Sequence, residues 1–284
     1  RSRRQRQMCI RDSRKTETVS RLKYGIRKTQ MINEILNLKN VSLAYQTDTD
    51  EIRALDSVSF GVGNGEFVAI IGPSGCGKTS VLSIIAGLLK PSGGKVTLYG
   101  EEIGKGKNSI GYMLQKDELF PWRTIEQNAY LPLEVKKIKN ETEKRKVDVL
   151  LKKYGLWEFR KKYPSQLSGG MRQRAALIRT MASSPDLLLL DEPFSALDYQ
   201  TRLAVCDDLY DIIKKEKKTT LLVTHDISEA LSTADRIIVL SKRPSKVLNI
   251  HIIDLDKTVS PLKRREDPGF SRWFERLWRE LNND

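Results

Sequence analysis

Phe67-Val68-Ala69-Ile70-Ile71-Gly72-Pro73-Ser74-Gly75-Cys76-Gly77-Lys78-Thr79-Ser80 is the stretch from which the fold can be read. Its first five residues are apolar throughout, the pattern of a short strand covered on both faces. The glycine-rich run that follows matches Gly-x4-Gly-Lys-Thr, and from Lys78 to about Leu89, short of Pro91, the residues favour helix. A strand that turns through glycines into a helix aims backbone N–H groups and a positive helix end at an anion. Gly72, Pro73, Ser74, Gly75, Cys76, Gly77, Lys78, Thr79 and Ser80 are therefore the expected phosphate-binding residues. Lys78 offers a point charge to the outer phosphates, and Thr79 offers a hydroxyl ligand to Mg²⁺.

Around that stretch, strand and turn patterns alternate. Asn40 to Tyr45, Ala54 to Val62 and Lys95 to Tyr99 read as strands of an antiparallel sheet, punctuated by Gly63-Asn64-Gly65 and Ser92-Gly93-Gly94. Lys116 to Ala182 is rich in charge and helix formers, Glu141 to Lys153 among them, and reads as a mainly helical insertion. Strand patterns return at Leu187 to Leu190, Thr220 to Val223 and Arg236 to Leu240, with a helix pattern at Arg202 to Lys215 between them. Such alternation with burial on both faces implies a parallel, three-layer core. Asp186 to Leu190 then delivers Asp191 and Glu192 to the carboxyl end of a strand, where open α/β sheets bind their ligands. Thr224-His225-Asp226 ends another buried strand. A second small turn, Leu167-Ser168-Gly169-Gly170-Met171, leads into a helix-forming run to Met181. It forms a further anion cradle that one nucleotide does not need, and so it is expected to face a nucleotide held by another copy.

Composition narrows the class. At 284 residues and 39% hydrophobic content the chain can bury an ample core. Its longest apolar runs are far shorter than the roughly 20 residues of a spanning helix. Cys9, Cys76 and Cys206 are widely spaced and odd in number, which argues for a reducing compartment, and two histidines exclude a histidine-rich metal centre. The net charge of +14 suggests nucleic acid at first sight. However, residues 1–30 hold eleven Lys and Arg against Asp12 and Glu17, so +9 of that charge is local. Met8-Cys9-Ile10-Arg11-Asp12 also reads as a translated sequencing adapter. At least the first thirteen residues are expected to be foreign, with Met31 a plausible start, and a native basic arm is the alternative.

Taken together, these segments resemble the ATP-binding subunits of ABC transporters. The resemblance runs from about Met31 to Leu248, and the motif order matches that family. It implies an α/β, P-loop NTPase ABC ATPase fold, with a parallel-sheet core, an antiparallel β subdomain and an inserted helical subdomain. Its expected limits are residues 31–250, with 116–182 helical, followed by a C-terminal extension at 251–284. The resemblance assigns Asp191 to Mg²⁺ and Glu192 to the attacking water. His225 is assigned to the γ-phosphate and Gln115 to Mg²⁺ and the relay of movement. Tyr45 would stack on adenine, although a buried strand tyrosine is the alternative. Ser168, Gly169 and Gly170 would close over the ATP of a partner subunit, and Met171 stands where the family usually has Gln. Ser195 to Asp198 resembles the D-loop.

Leu119-Phe120-Pro121-Trp122 further resembles the nitrate, sulfonate and taurine group of importer ATPases; the group for thiamine precursors is similar. Phe120 and Trp122 then either meet a permease or staple the insertion to the core. The implied partners are a second ATPase subunit, a transmembrane permease and a periplasmic or lipid-anchored solute-binding protein, at the cytoplasmic face of the inner membrane. The other readings fit less well. A soluble ABC ATPase acting on nucleic acid or ribosomes would usually have two cassettes or a coiled-coil insertion, and a small-molecule P-loop kinase leaves Leu167 to Gly170 and His225 without a purpose. Finally, Phe270, Trp273, Phe274, Leu277, Trp278 and Leu281 form a helical stripe, which either docks on its own domain or makes a dimer, regulatory or membrane contact.

Overall fold

A computed structural model of the chain describes residues 34–46, 50–105 and 109–282. The basic stretch 1–30, Met31, Cys9 and Asp48 of the acidic loop after Tyr45 lie outside the described residues. β1 (Glu34–Gln46), β2 (Glu51–Gly63), β4 (Gly93–Leu98) and β5 (Glu101–Glu102) form one sheet in the order β2-β1-β4-β5, antiparallel between β1 and β4 and between β4 and β5. The second sheet contains β3 (Phe67–Ile71), β6 (Ile110–Met113), β7 (Leu187–Asp191), β8 (Thr219–Val223), β9 (Arg236–Leu240) and β10 (Val247–Ile252), in the order β10-β9-β3-β8-β7-β6. Neighbours from β9 to β6 run parallel, as their apolar sequences require, and every residue of β3, β7, β8 and β9 is buried. Ala69, Ile71, Leu188, Leu190 and Leu222 pack into one core, and Val68, Ile70, Leu187, Leu189 and Leu221 into the other.

β10 and the helix after the phosphate loop differ from the sequence expectation in ways that bear on the domain limits and on that loop, and β1 begins six residues before Asn40. β10 pairs antiparallel to β9 and crosses residue 250, where the sequence separates the ATPase domain from an extension. Leu248, Ile250 and Ile252 on it are exposed, so its hydropathy does not stand out as a strand buried on both faces. The helix after the phosphate loop, α1 (Lys78–Ile85), ends four residues before Leu89. Gly87 there is left-handed at φ 74°, its N–H bonds to the Ile84 carbonyl and the Leu88 N–H to that of Ser83. Those two bonds are the closing pattern of a glycine-terminated helix.

The helical segment contains α2 (Ile125–Val135), α3 (Glu141–Lys153) and α4 (Gly169–Met181), capped by Thr124, Asn140 and Ser168. Ile125, Ala129, Leu133, Val147, Leu151 and the Ala175–Ile178 run share one core with a face of the parallel sheet. α5 (Tyr199–Lys215), α6 (Ile227–Thr233), α7 (Pro261–Arg264) and α8 (Pro268–Asn282) complete that layer. The aromatic stripe docks α8 on its own domain. Phe270 and Leu277 are buried, and Trp273, Phe274 and Leu281 pack partly against the core. Glu280 meets His251 Nε2 of β10 at 2.8 Å, and Trp273 Nε1 donates to Asp254 at 2.6 Å. Trp278 is left outside at 55% exposure, stacked on Phe274. Leu277→Ala should therefore destabilise the protein by about 2–5 kcal/mol. Trp278→Ala should cost less than about 1 kcal/mol, and urea unfolding measures both.

Candidate nucleotide-binding and hydrolysis site

The parallel strands bring three segments to one end of the sheet. Ile70 and Asp191 both align with Val223, so the chain beyond β3, β7 and β8 emerges side by side as Gly72, Glu192 and Thr224. The loop from Gly72 to Gly77 folds back on itself through the Cys76 N–H to the Pro73 carbonyl. Gly77 is at φ 109°, and a Cβ there would lie 2.9 Å from Leu55 Cδ2 of β2, so this position demands glycine. Lys78 is buried, and its ammonium donates to the carbonyls of Gly72 at 2.8 Å and Pro73 at 3.0 Å.

The start of α1 differs from the other helix starts. The helices α2 to α7 each carry a side-chain cap, whereas α1 has none and no acidic residue in its first turn. Its first N–H groups and the positive end of its dipole are thus left to an anion, beside a buried cation.

Asp191 is buried, and its carboxylate accepts from Thr79 Oγ1 at 3.3 Å and from the Tyr112 hydroxyl at 3.1 Å. Burial pushes this carboxyl up despite those two donors and the nearby Lys78 charge. Burial and the Asp191 charge likewise push the Tyr112 phenol up, so it stays a donor. Tyr112 was missed in the sequence, where its only signal is its place on β6, aligned with Leu189 of β7 two residues before Asp191.

Glu192 adopts φ 44°, in the left-handed region that a non-glycine residue enters at some cost. Its N–H donates to the Val223 carbonyl at 2.9 Å, and its own carbonyl receives the Ser195 N–H and hydroxyl. The carboxylate meets His225 Nδ1 at 3.0 Å and Gln115 Nε2 at 3.4 Å. Gln115 Nε2 also lies within donating distance of Ser195 Oγ at 3.3 Å, so the amide nitrogen links Glu192 to Ser195. Tyr45 is exposed at 39%, which removes the buried-strand alternative, and its hydroxyl lies 3.1 Å from Ser80 Oγ.

The second glycine turn is capped by its own serine. Ser168 Oγ accepts from the Met171 N–H at the start of α4, while a Cβ on Gly169 or Gly170 would press on Leu197 or Val205. The described hydrogen bonds tie Ser168 to its own helix and not to residues 72–80. Farther out, Leu119 is buried and Asn128 binds the backbone of Phe120, Arg123 and Thr124, so these two staple the insertion. Trp122 faces outward at 70% exposure, stacked on Phe120 with ring centroids 5.0 Å apart.

A buried strand, a glycine loop, an uncapped helix start carrying Lys-Thr and a strand-end Asp-Glu pair define a P-loop nucleotide hydrolase. The family model for ABC transporters matches residues 55–195. The chain is 44% identical over 249 residues to the ABC transporter ATP-binding protein YtlC of Bacillus subtilis, covering 87% of this chain and 96% of that one. It is 40% identical over 247 residues to the aliphatic sulfonates import ATP-binding protein SsuB of Bacillus licheniformis, covering 87% and 94%. Among solved structures, the dimeric cassette MJ0796 bound to ADP and Pi matches with TM-score 0.66 and 35% identity over 77% of this chain and 98% of that one. The chain belongs to the ATP-binding subunits of ABC transporters, and it is an ATPase. Gly77→Ala should cost about 1–3 kcal/mol of stability through the left-handed backbone and the Leu55 contact. It should also weaken ATP binding, and calorimetry with and without ATP reads both effects.

Proposed function

We propose that the chain powers a membrane importer for sulfonate-like solutes, in the nitrate, sulfonate and taurine group, by binding and hydrolysing ATP between two copies of itself. The observation that carries the ATP site is the uncapped start of α1 beside the buried Lys78 ammonium, at the same sheet end as Asp191, Glu192 and His225. Lys78 and the N–H groups of Ser74, Gly75 and Gly77 to Ser80 hold the phosphates, and Tyr45 stacks on the base.

Thr79 and Asp191 fit Mg²⁺, because a hydroxyl and a carboxylate are hard oxygen donors and lie 3.3 Å apart beside the cradle. No cluster of three or more His, Cys, Asp or Glu able to enclose a metal occurs among the described residues. That suits an ion which takes one or two protein oxygens and completes its shell with phosphate and water. When bound, Mg²⁺ neutralises phosphate charge. Glu192 orients the attacking water and accepts its proton, and His225 donates to the γ-phosphate while its contact with Glu192 keeps the two groups in register. Ser168, Gly169 and Gly170 of the second copy close the cage. The dimeric MJ0796 cassette with ADP and Pi supports this arrangement.

The importer reading is supported by relatives named for aliphatic sulfonate import and by the outward Trp122, an apolar surface suited to a permease. No described helix is long and apolar enough to cross a membrane, which fits a subunit held peripherally at the cytoplasmic face by that permease. A solute-binding protein would deliver the cargo from the other side.

Glu192→Gln should still bind ATP and dimerise in its presence, with turnover lower by at least about 100-fold. Near-normal turnover in that variant overturns the role of Glu192. Disrupting the gene should abolish growth on aliphatic sulfonates as the sole sulphur source, and unaffected growth there would remove the solute assignment.

A further inference from the structure

The segment Ser241–Lys246, between β9 and β10, belongs to no motif of the site described above, yet it lies along the outside of the phosphate loop. Ser245 is wholly buried. Its N–H donates to the Ala54 carbonyl and its carbonyl accepts from the Asp56 N–H, each at 2.9 Å, which stitches the segment to β2. Lys246 Nζ reinforces that seam at 3.0 Å from Asp56 Oδ2. From this fixed position the Ser245 hydroxyl donates to the Cys76 carbonyl, with the Ser241 carbonyl 3.1 Å away, and Arg243 Nη2 donates to the Gly75 carbonyl at 2.7 Å.

A loop that turns its N–H groups inward toward an anion turns carbonyls outward, and each of those needs a donor. Lys78 takes the carbonyls of Gly72 and Pro73 from within the loop. Those of Gly75 and Cys76 fall to Arg243 and Ser245. Packing holds Cys76, which is buried, but not Gly75, where a Cβ would meet no atom within 4 Å and the backbone is left-handed at φ 73°. The hydrogen bond from Arg243 therefore helps set which way the Gly75 carbonyl faces.

We propose that Arg243 and Ser245 form a clamp on the outer carbonyls of the phosphate loop, holding it in its anion-binding shape and thereby setting the affinity for ATP. The inference rests on reading residues 72–80 as the ATP site. Both are positioning residues that act through the loop backbone, and the guanidinium adds positive potential at its rim. A loop held ready binds ground state and transition state equally, so loss of the clamp raises KM and leaves kcat nearly unchanged.

The test uses the full chain and its Arg243→Ala, Arg243→Lys, Ser245→Ala and Lys78→Ala variants. Steady-state ATP hydrolysis, binding of a fluorescent ATP analogue and melting temperature without nucleotide are measured for each. Arg243→Ala should raise KM and Kd about fivefold to tenfold with kcat within about twofold, as expected for loss of one charge-assisted hydrogen bond near the surface. Its melting temperature should move by no more than about a degree or two. Arg243→Lys should recover part of the affinity, and Ser245→Ala should raise KM likewise. Unchanged KM and Kd in Arg243→Ala overturn the clamp, as does a fall in kcat at constant KM, which would mean only fewer intact molecules. Lys78→Ala separates the two levels. If it binds ATP as the parent does, the ATP site lies elsewhere and the clamp falls with it; if it loses ATP while Arg243→Ala stays normal, the clamp alone falls.

Discussion

An ammonium buried at Lys78 and hydrogen-bonded to two backbone carbonyls is the constraint to which the rest of the molecule conforms. Carbonyl dipoles take two of its three protons and the Asp191 carboxylate offsets part of its charge, which leaves a donor and some positive potential for an anion. The positive end of α1 lies beside it without a cap or an acidic residue. Both features raise the free energy of the free protein, and an anion at the loop relieves both together. Such a loop keeps its shape only if rigid elements border it. β3 carries it from a fully buried position, Leu55 of β2 closes on Gly77, and Leu240 of β9 lies 3.2 Å from where a Cβ on Gly72 would stand. The antiparallel sheet therefore acts as one wall of the phosphate loop as well as a cover for the core.

Where function forces residue type, the sequence could be read directly. Gly72 to Thr79, Asp191, Glu192 and His225, the residues proposed for phosphate chemistry, could be placed on a loop and on strand ends from their spacing, and the parallel sheet follows from strands apolar on both faces. β10 was not legible, since an edge strand with one exposed face carries Leu248, Ile250 and Ile252 outward and lacks the continuous apolar run of its neighbours. The end of α1 was misplaced because Leu88 and Leu89 look helical, while the two bonds closing on Gly87 stop the helix sooner. Tyr112, Arg243 and Ser245 left no motif at all. Each acts on a residue far away in the chain, Asp191, Gly75 or Cys76, and only the folded sheet brings them together.

The helical stripe from Phe270 to Leu281 shows a different limit. Spacing established that one face is apolar, but it could not say what that face covers. The structure answers with polar contacts as well as packing. His251 with Glu280 and Trp273 with Asp254 fix α8 against β10 and the chain just after it. Leu277 and Phe270 then enter the same core that lies beneath α6, the helix that follows His225. The C-terminal helix is thus part of the layer supporting one side of the proposed catalytic pair.

That pair has an asymmetry with a mechanical meaning. The Glu192 backbone is anchored on both sides, by the Val223 carbonyl on its N–H and by Ser195 on its carbonyl, and it is held at φ 44°. Its side chain is bound more loosely, to a His225 whose side chain is 53% exposed and to a Gln115 amide at 3.4 Å. A backbone held in an unfavourable region by two firm anchors cannot easily change its direction, whereas a carboxylate shared between two solvent-accessible partners can rotate at little cost. Movement in the site should therefore arise by exchange of partners among Glu192, His225 and Gln115 rather than by bending of the strand ends. Gln115 and Ser195 both lie on connections that lead away from the sheet, one toward the helical segment and the other toward Leu197 and α5. An exchange of partners at Glu192 therefore bears on the helical segment, whose Trp122 is proposed to meet the permease, and on the Leu197 turn, which lies against Gly169.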